Sequence, residues 1–234
     1  MIKPFLSAAM VLLPTAALAQ AQSCIVPDKV PELRLERPAS ADVRKVPVQG
    51  YLLALSWSPQ YCRDKRSSPA DAGQCGKDAR FGFVLHGLWP EGTNQNDPAW
   101  CGEAKPIDAG LIKQHFCMTP SAQLLQHEWA KHGTCMADKP EKYFRAASIL
   151  YRAVRFPDMN SLSRRGVTVG AFAAEFARVN PGLTPAMLSI SATPGNWLKE
   201  VRICMDASFR PRVCPRGEPT APPKKRLNIW RDER

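Results

Sequence analysis

Beyond residues 1–19, the sequence has no continuous apolar stretch long enough to cross a bilayer, and its eight cysteines include no C-x-x-C pair. A membrane-embedded protein is not indicated, because a spanning helix needs about 20 predominantly apolar residues. Structural zinc sites usually draw their cysteines from pairs separated by about two to four residues. Zinc binding is therefore only the weaker alternative for these cysteines.

The start of the chain has the pattern of a secretory signal peptide over residues 1–19. Lys3 supplies a positive charge, residues 5–18 form a short apolar run, and residues 17–19 give the small-x-small cleavage pattern Ala-Leu-Ala. A membrane anchor is the alternative, but prolines bracket an apolar run that is too short to span. We therefore expect an exported protein, periplasmic or secreted, without membrane contact once the signal is removed.

Cysteine content and charge narrow the class of protein further. An even number of cysteines in an exported chain predicts up to four disulfides and an oxidising compartment. The formal net charge of +11 favours a polyanionic partner: nucleic acid, acidic glycan or anionic membrane. Charge alone does not decide among these partners.

Apolar patterning divides the rest of the chain into an extended N-terminal arm (residues 20–50), one folded domain (51–214) and a Pro-rich, basic tail (215–234). We expect the tail to be loosely held. The patterns predict strands and helices; the strands cover residues 51–57, 81–89 (ended by Pro90) and 198–205, and the helices 108–116, 123–131, 141–154 and 169–179. Because βαβ alternation is absent, we predict an α+β fold with a central antiparallel sheet flanked by helices.

The predicted strand over residues 198–205 carries three charged side chains within an apolar run. Strand alternation separates its residues into two faces: Leu198, Glu200, Arg202 and Cys204 on one side, and Val201, Ile203 and Met205 on the other.

The segment HEWAKHGTC, residues 127–135, groups ionisable side chains on one predicted helix. Residues four apart share a helix face, so His127 lies beside Lys131 and Glu128 beside His132. That set is suited to holding a phosphate and moving a proton, although a solvated charged face is the ordinary alternative. A zinc-protease site is disfavoured, because its helical histidines stand four apart and these two stand five apart.

The segment FVLHGLWP, residues 83–90, places a histidine in an apolar strand. Strand alternation predicts that His86 and Leu88 share one face and that Leu85 and Gly87 share the other. Such a histidine is more often a core residue than a catalytic one. Gly87 permits close approach of another group, and Trp89 either fills the core or stacks on a nucleobase. The residues alone leave the role of His86 open.

Both segments are similar to the two active-site segments of the ribonuclease T2 family, the acid endoribonucleases of bacteria, fungi and plants. YLLALSWSPQYC (residues 51–62) resembles the first core strand of that family. LKEVRICMD (residues 198–206), followed by Cys214, resembles its C-terminal strand and disulfide. These matches span most of residues 51–214 and resemble the bacterial branch, whereas the arm and the tail lie outside them.

The resemblance implies a metal- and cofactor-independent endoribonuclease of low base specificity, in which the ribose 2′-hydroxyl attacks the adjacent phosphorus. His132 is then the general base and His86 the general acid. Glu128 and Lys131 polarise the phosphoryl group and stabilise the transition state, while His127 holds the phosphate. The products carry 2′,3′-cyclic phosphate and then 3′-phosphate ends, and DNA is not cut. We expect a monomer; a non-catalytic RNA- or polyanion-binding module on the same fold is the alternative.

The resemblance also implies a base site and disulfide pairs. Trp89 and Glu91 resemble the first base site, although family members often carry aspartate where Glu91 stands. His115 lies outside both segments and is interpreted as a surface or core histidine without a catalytic role. The implied disulfides are Cys101–Cys135, Cys204–Cys214 and, as in the bacterial branch, Cys62–Cys75, which leaves Cys24 and Cys117 to pair by elimination.

Overall fold

A computed structural model describes residues 21–93 and 96–231 of the chain. The predicted signal peptide, residues 1–19, lies outside the described residues. Within the described ranges, no helix is both long enough and apolar enough to cross a membrane.

The described residues form eight strands and seven α-helices, numbered in chain order. The strands are β1 (Ala21–Ser23), β2 (Gly50–Trp57), β3 (Arg80–Phe81), β4 (Phe83–Glu91), β5 (Val167–Thr168), β6 (Leu188–Ala192), β7 (Leu198–Asp206) and β8 (Arg226–Leu227). The α-helices are α1 (Ser58–Tyr61), α2 (Ala72–Cys75), α3 (Ala109–His115), α4 (Ala122–Lys131), α5 (Pro140–Ala153), α6 (Met159–Arg165) and α7 (Val169–Arg178). All four predicted helices and all three predicted strands are present, while the shorter elements α1, α2, α6, β1, β5, β6 and β8 were not predicted.

Four strands form the central antiparallel sheet in the order β4-β2-β7-β6. The main core lies between this sheet and the amphipathic helices, whose apolar side chains recur with helical spacing. It contains Leu53, Leu55, Leu88, Val201 and Ile203 from the sheet, with Tyr143, Phe144, Phe172 and Phe176 from α5 and α7. The predicted α+β fold with a central antiparallel sheet is confirmed.

Strand β4 contains a β-bulge at its histidine. Its pairing with β2 shifts by one residue between Ala54 and Leu55, so His86 has no residue opposite it. The prediction that His86 and Leu88 share a face is therefore wrong: Leu88 joins Leu85 in the main core, whereas His86 contacts Glu200 on β7. A bulge redirects side chains in this way and is common beside active sites.

Strand β4 also continues past Pro90, which was predicted to end it, and finishes at Glu91. Because β4 lies at the edge of the central sheet, only one of its sides takes part in the ladder. A proline whose nitrogen faces away from the neighbouring strand leaves no ladder hydrogen bond unmade.

The segment after Pro215 is packed against the domain, which corrects the expectation of a loosely held tail. Strand β8 pairs with β5, and Leu227 is buried in the main core. The indole nitrogen of Trp57 donates to the backbone carbonyl of Trp230 at 2.8 Å. Proline and charge dominate the composition of the tail, but a few well-placed apolar side chains suffice to hold it.

Four disulfides fasten the fold: Cys24–Cys117, which was paired by elimination, and Cys62–Cys75, Cys101–Cys135 and Cys204–Cys214, which the resemblance implied. The first ties the N-terminal arm to the segment after α3, and the third ties the loop after β4 to the turn after α4. The arm is extended and lies along α4, where the backbone of Arg34 hydrogen-bonds the side-chain amide of Gln123 in both directions.

Candidate active site

His86 on β4 is held by a buried carboxylate from β7. Its Nδ1 lies 2.6 Å from Oε2 of Glu200, a side chain that is almost fully buried. Arg202 donates to the other oxygen of Glu200 at 2.8 Å and to Glu218 of the tail at 2.9 Å. The four side chains form one continuous charged chain, which fixes the orientation of the imidazole and directs its Nε2 away from Glu200.

The second histidine stands one residue beyond α4. Ser121 begins that helix, because its side chain accepts the backbone N–H of Leu124, and the helix ends at Lys131. His132 occupies the C-cap, where its backbone N–H bonds to the carbonyl of Glu128 at 3.1 Å. Glu128 is buried, as are the next two residues of the helix, Trp129 and Ala130.

Trp89 brings these elements together. Its ring centroid lies 5.0 Å from that of His86, edge to face, and 5.5 Å from that of His132, stacked. Its indole nitrogen donates to Oε2 of Glu128 at 2.8 Å, while the other oxygen of Glu128 lies 3.7 Å from Nε2 of His86. Two imidazoles and one carboxyl group therefore surround a single indole, which is half-buried.

Gly87 makes this arrangement sterically possible. A Cβ at this position would overlap the carboxylate of Glu128 and the indole nitrogen of Trp89. The carboxylate of Glu128 on α4 thus occupies the space that the missing side chain of Gly87 leaves beside the strand. Any larger residue would displace Glu128 or Trp89 from the site.

The two histidines have pKa values that move in opposite directions. Burial and the positive charges of Lys131, His127, His86 and Arg44 hold the pKa of His132 well below its ordinary value of 6.5. Burial also acts to lower the pKa of His86, but the hydrogen bond with Glu200 and the charge of Glu128 outweigh it and raise that pKa. One histidine therefore favours the neutral imidazole and the other the imidazolium.

The two buried carboxyl groups differ in the same way. Burial raises the pKa of Glu128 against the opposing charges of His86 and His127. Burial opposes ionisation of Glu200 as well, but its hydrogen bonds with His86 and Arg202 lower its pKa to about 2. Glu200 is therefore the fixed negative charge of the site, and Glu128 is the carboxyl group that takes up a proton more readily.

His127 and Lys131 lie at the outer side of the site. Nδ1 of His127 is 2.7 Å from Oε2 of Glu36 in the N-terminal arm, and its ring meets Trp100 edge to face at 5.6 Å. The backbone carbonyl of Lys131 accepts the N–H of Trp100 at 2.8 Å. His127 thus contacts the N-terminal arm, whereas Glu128 and His132 contact Trp89. The side chains that were predicted to share one helix face therefore contact two different parts of the molecule.

Two further residues named from the sequence are buried. Glu91 forms an ion pair with Arg212 at 3.1 Å, and burial raises its pKa against that partner. Its carboxylate therefore reaches the site only through rearrangement of this pair, and base recognition by Trp89 and Glu91 stays a prediction. His115 is buried against Phe144 with ring centroids 5.3 Å apart, as a core histidine would be.

Sequence reasoning missed Glu200, Arg202 and Glu218 as parts of the site. Strand alternation did place Glu200 and Arg202 on one face, and this was the available signal, because two charges in an apolar strand require partners. Leu198, predicted on the same face, joins the main core instead. The pairing of β7 with β6 shifts between Ser191 and Ala192, which changes the face that Leu198 occupies.

A cavity of about 380 Å³ opens beside His86 and Glu200. Its walls include Ser56, Gln60, Gln74 and Lys199, so polar side chains line one side of the space next to the imidazole. Among residues 21–93 and 96–231, no group of three or more His, Cys, Asp or Glu side chains is arranged to hold a metal ion. The cavity leaves room for a ligand beside His86.

The sequence matches the profile of the ribonuclease T2 family over residues 48–214. It is 34% identical over 181 residues to a probable ribonuclease of Haemophilus influenzae, covering 73% of this chain and 62% of the relative. It is 38% identical over 115 residues to a ribonuclease of Aeromonas hydrophila, covering 49% of this chain and 50% of the relative. The matches thus span between half and two thirds of the length of these two relatives.

Solved structures share the fold. An RNase-related protein from Calystegia sepium superposes with a TM-score of 0.61 at 21% identity, over 77% of this chain and 96% of the other. RNase NT in complex with 5′-AMP superposes with a TM-score of 0.57 at 20% identity, over 78% and 98% of the two chains. At this level of identity, the likeness establishes the architecture of the sheet and helices.

Proposed function

The chain belongs to the ribonuclease T2 family, and we propose that it is an endoribonuclease that cleaves RNA through its own ribose 2′-hydroxyl. The observation that carries this proposal is the pair of histidines around Trp89, whose pKa values are shifted in opposite directions. Titratable groups whose environments separate their pKa values in this way are suited to act as a base and an acid in one reaction.

In the first step, neutral His132 takes the proton of the 2′-hydroxyl, and the oxygen attacks the adjacent phosphorus. The bond between phosphorus and the 5′-oxygen breaks, and protonated His86 gives its Nε2 proton to that leaving oxygen. The products are a 2′,3′-cyclic phosphate and a free 5′-hydroxyl. Each positioned acid or base typically contributes on the order of 10²–10⁴-fold to such a reaction.

In the second step, the two histidines exchange roles. His86, now neutral, takes a proton from water, whose oxygen attacks the cyclic phosphate. His132, now protonated, returns its proton to the departing 2′-oxygen, so the enzyme regains its starting state. The product carries a 3′-phosphate end.

Glu128 and Lys131 are proposed to stabilise the phosphoryl group as charge develops on it. Burial raises the pKa of Glu128, so this carboxyl group shares a proton with its surroundings more readily than Glu200 does. Lys131 adds a positive charge, and His127 is proposed to hold the phosphate. These roles fit the position of α4, which brings all three residues to one end of the site.

Glu200 is proposed as a positioning residue for His86. A carboxylate that accepts a hydrogen bond from Nδ1 fixes the tautomer that carries a proton on Nδ1 and supports the imidazolium. The 2.6 Å contact and the burial of Glu200 support this role. Arg202 and Glu218 extend the support, because they hold the carboxylate in place from behind.

The setting that we propose is export to the periplasm or beyond the cell, after removal of residues 1–19. The partner is RNA, cleaved with low base specificity and without a metal ion or cofactor, and the protein acts as a monomer. Trp89 and Glu91 are proposed as the first base site. DNA lacks the attacking hydroxyl and is not expected to be cut.

Digestion of a defined RNA in the presence of EDTA tests the proposal. We expect cyclic-phosphate ends first and 3′-phosphate ends later, and no cleavage of an oligonucleotide whose riboses are all 2′-deoxy. A single ribose placed in that oligonucleotide should restore one cut on its 3′ side. A folded protein that binds this RNA without cutting it would instead support the non-catalytic binding module, and loss of cleavage in EDTA would contradict a metal-free mechanism.

A further inference from the structure

A second cleft lies at the end of the central sheet and is built largely by the tail. It has a volume of about 680 Å³, and its lining includes Arg66, Trp197, Arg226, Asn228, Trp230 and Arg231. Three of its lining residues are arginines, and none of the described lining residues carries a carboxylate. Arg226, Asn228, Trp230 and Arg231 follow residue 214, where the match to the family ends.

Two aromatic rings line this cleft, and an additional arginine outside the lining packs against both of them. Trp197 and Trp230 meet edge to face with ring centroids 5.5 Å apart. The guanidinium of Arg63 lies 4.5 Å from the ring of Trp230 and 5.4 Å from the ring of Trp197. The indole nitrogen of Trp230, which can only donate, is buried and has no hydrogen-bond partner among the described residues.

This combination of groups has a recognisable ligand chemistry. Guanidinium groups bind phosphate through paired N–H donors, and they also stack on flat rings. Binding sites for single-stranded nucleic acid combine such cations with aromatic side chains, because every base offers a flat face. An acidic protein segment would form ion pairs with the arginines but offer no flat ring to stack on the indoles. A nucleotide chain offers both a phosphate and a base, so it fits the lining better.

The cleft adjoins the cavity beside His86. Thr193, which lines that cavity, donates its backbone N–H to the carbonyl of Trp197 at 2.8 Å. Trp197 precedes Glu200 by three positions at the start of β7, a separation of about 10 Å along an extended chain. A strand of RNA that is bound at His86 therefore needs to continue only a short distance to reach Trp197.

We propose that this cleft is a second RNA-binding site, which holds a phosphate and a base of the same strand that is cleaved between His86 and His132. The proposal rests on the proposed ribonuclease function and extends it to longer substrates. A dinucleotide occupies the catalytic site without reaching the cleft, whereas a chain of about a dozen nucleotides spans both.

Paired substitutions test the site. The double variant Arg226→Gln/Arg231→Gln removes two charges from the cleft, and Lys224→Gln/Lys225→Gln removes two exposed charges from the adjacent stretch outside the lining. For a 12-nucleotide RNA we expect kcat/KM to fall about tenfold in the arginine variant and less than about twofold in the lysine variant. For a dinucleotide we expect both variants to match the wild type.

Salt dependence gives a second readout. For single-stranded nucleic acid, the slope of log affinity against log salt changes by about 0.7 for each phosphate that the protein no longer neutralises. With an all-2′-deoxy 12-mer as a competing ligand that is not cut, the arginine variant should show a shallower slope for its inhibition constant. Thermal unfolding of each variant checks that the domain remains intact.

The outcomes separate this site from the catalytic proposal. Equal losses in the arginine and lysine variants, or no loss in either, would overturn the second site while leaving the ribonuclease function in place. A loss on the dinucleotide as large as that on the 12-mer would show that the tail acts on the catalytic site instead. A wild-type protein that cuts neither RNA would contradict the proposed function, and the deoxy 12-mer would still report whether the cleft binds nucleic acid.

Discussion

His86 and His132 meet the same indole from two differently built halves of the molecule. His86 comes from the sheet, where Glu200, Arg202 and Glu218 satisfy one another through buried ion pairs. His132 comes from the end of α4, where its neighbours are cationic and its Nδ1 has no hydrogen-bond partner among the described residues. One half supports a proton on its histidine and the other half disfavours it.

This difference shows how two identical side chains acquire opposite preferences for a proton. Neither segment contains the whole cause, because the carboxylate that supports His86 is 114 positions away in the sequence. Local sequence supplies the imidazoles, and tertiary contacts decide which one holds a proton. Substitutions that remove a histidine, shift Glu128 or neutralise a carboxylate in one half at a time test this difference.

Removal of either histidine should have the largest effect. We expect His86→Phe and His132→Phe each to lower kcat by about 10²–10⁴-fold, because each removes one proton-transfer group. The double variant should lose little more than the worse single variant, since the two groups act as a unit. His115→Phe is the matched control, a buried histidine outside the site, and its kcat should stay within about twofold of wild type. Wild-type cleavage by either active-site variant would contradict the mechanism.

Displacement of Glu128 by a substitution at Gly87 on β4 should have the next largest effect on the rate. In Gly87→Ala the added methyl group collides with Glu128 and Trp89, and a shift of the site by about 1 Å can cost about 100-fold in rate. Overpacking should also lower the free energy of unfolding by about 1–3 kcal/mol. The control is Gly102→Ala, whose methyl group would meet only ordinary contacts with Thr134. If Gly87→Ala and Gly102→Ala behaved alike, the close approach of Glu128 would be irrelevant to catalysis.

Removal of the negative charge beside His86 should change the dependence of kcat on pH. In the wild type, rate should rise as His132 loses its proton below pH 6.5 and fall as His86 loses its proton above pH 6.5. Glu200→Gln removes the negative charge that raises the pKa of His86, so the alkaline limb should move to lower pH. At neutral pH we expect about a tenfold loss of kcat, because each unit of pKa shift corresponds to about 1.36 kcal/mol.

The alkaline limb of the kcat–pH profile distinguishes a role of Glu200 in positioning His86 from a general loss of fold stability. Glu175→Gln removes a surface carboxylate that pairs with Arg178 and serves as the control, with an unchanged profile. A Glu200→Gln variant with lower kcat but an unmoved alkaline limb would contradict the role of Glu200 toward His86.

The smallest effect is expected on the helix half, at its contact with the arm. Glu36→Gln removes a partly exposed carboxylate that pairs with His127, the residue proposed to hold the phosphate. We expect KM for RNA to fall about two- to threefold with kcat unchanged, and stability to change by less than about 1 kcal/mol, as for other exposed ion pairs. Glu32→Gln removes an exposed carboxylate from the same arm and is the control. A rise in KM specific to Glu36→Gln would show that the arm supports phosphate binding instead.

The helix half was largely predictable from sequence. The interval between Glu128 and His132 is one helical turn, and helical spacing fixes such neighbours before any tertiary contact forms. Even so, spacing did not reveal that His132 lies beyond the last helical residue or that His127 contacts the arm. Those features depend on a helix end and on a segment about 90 positions away.

The sheet half was much less predictable. A one-residue bulge reverses the faces of a strand, and no residue type in FVLHGLWP indicates where the bulge falls. The contact between His86 and Glu200 crosses β2, so it requires the order of the sheet to be known. Composition misled the prediction for the tail, since prolines and basic residues hid the side chains that pack.

The path of the tail has a consequence for biosynthesis. Glu218 and Leu227 leave the ribosome long after His86 and His132 have emerged, because domains are made from the N-terminal end. The charged chain behind His86 is therefore completed only after Glu218 reaches Arg202. Under the proposed function, we expect a chain that ends before Glu218 to cleave RNA poorly, because the charges behind His86 are then incomplete.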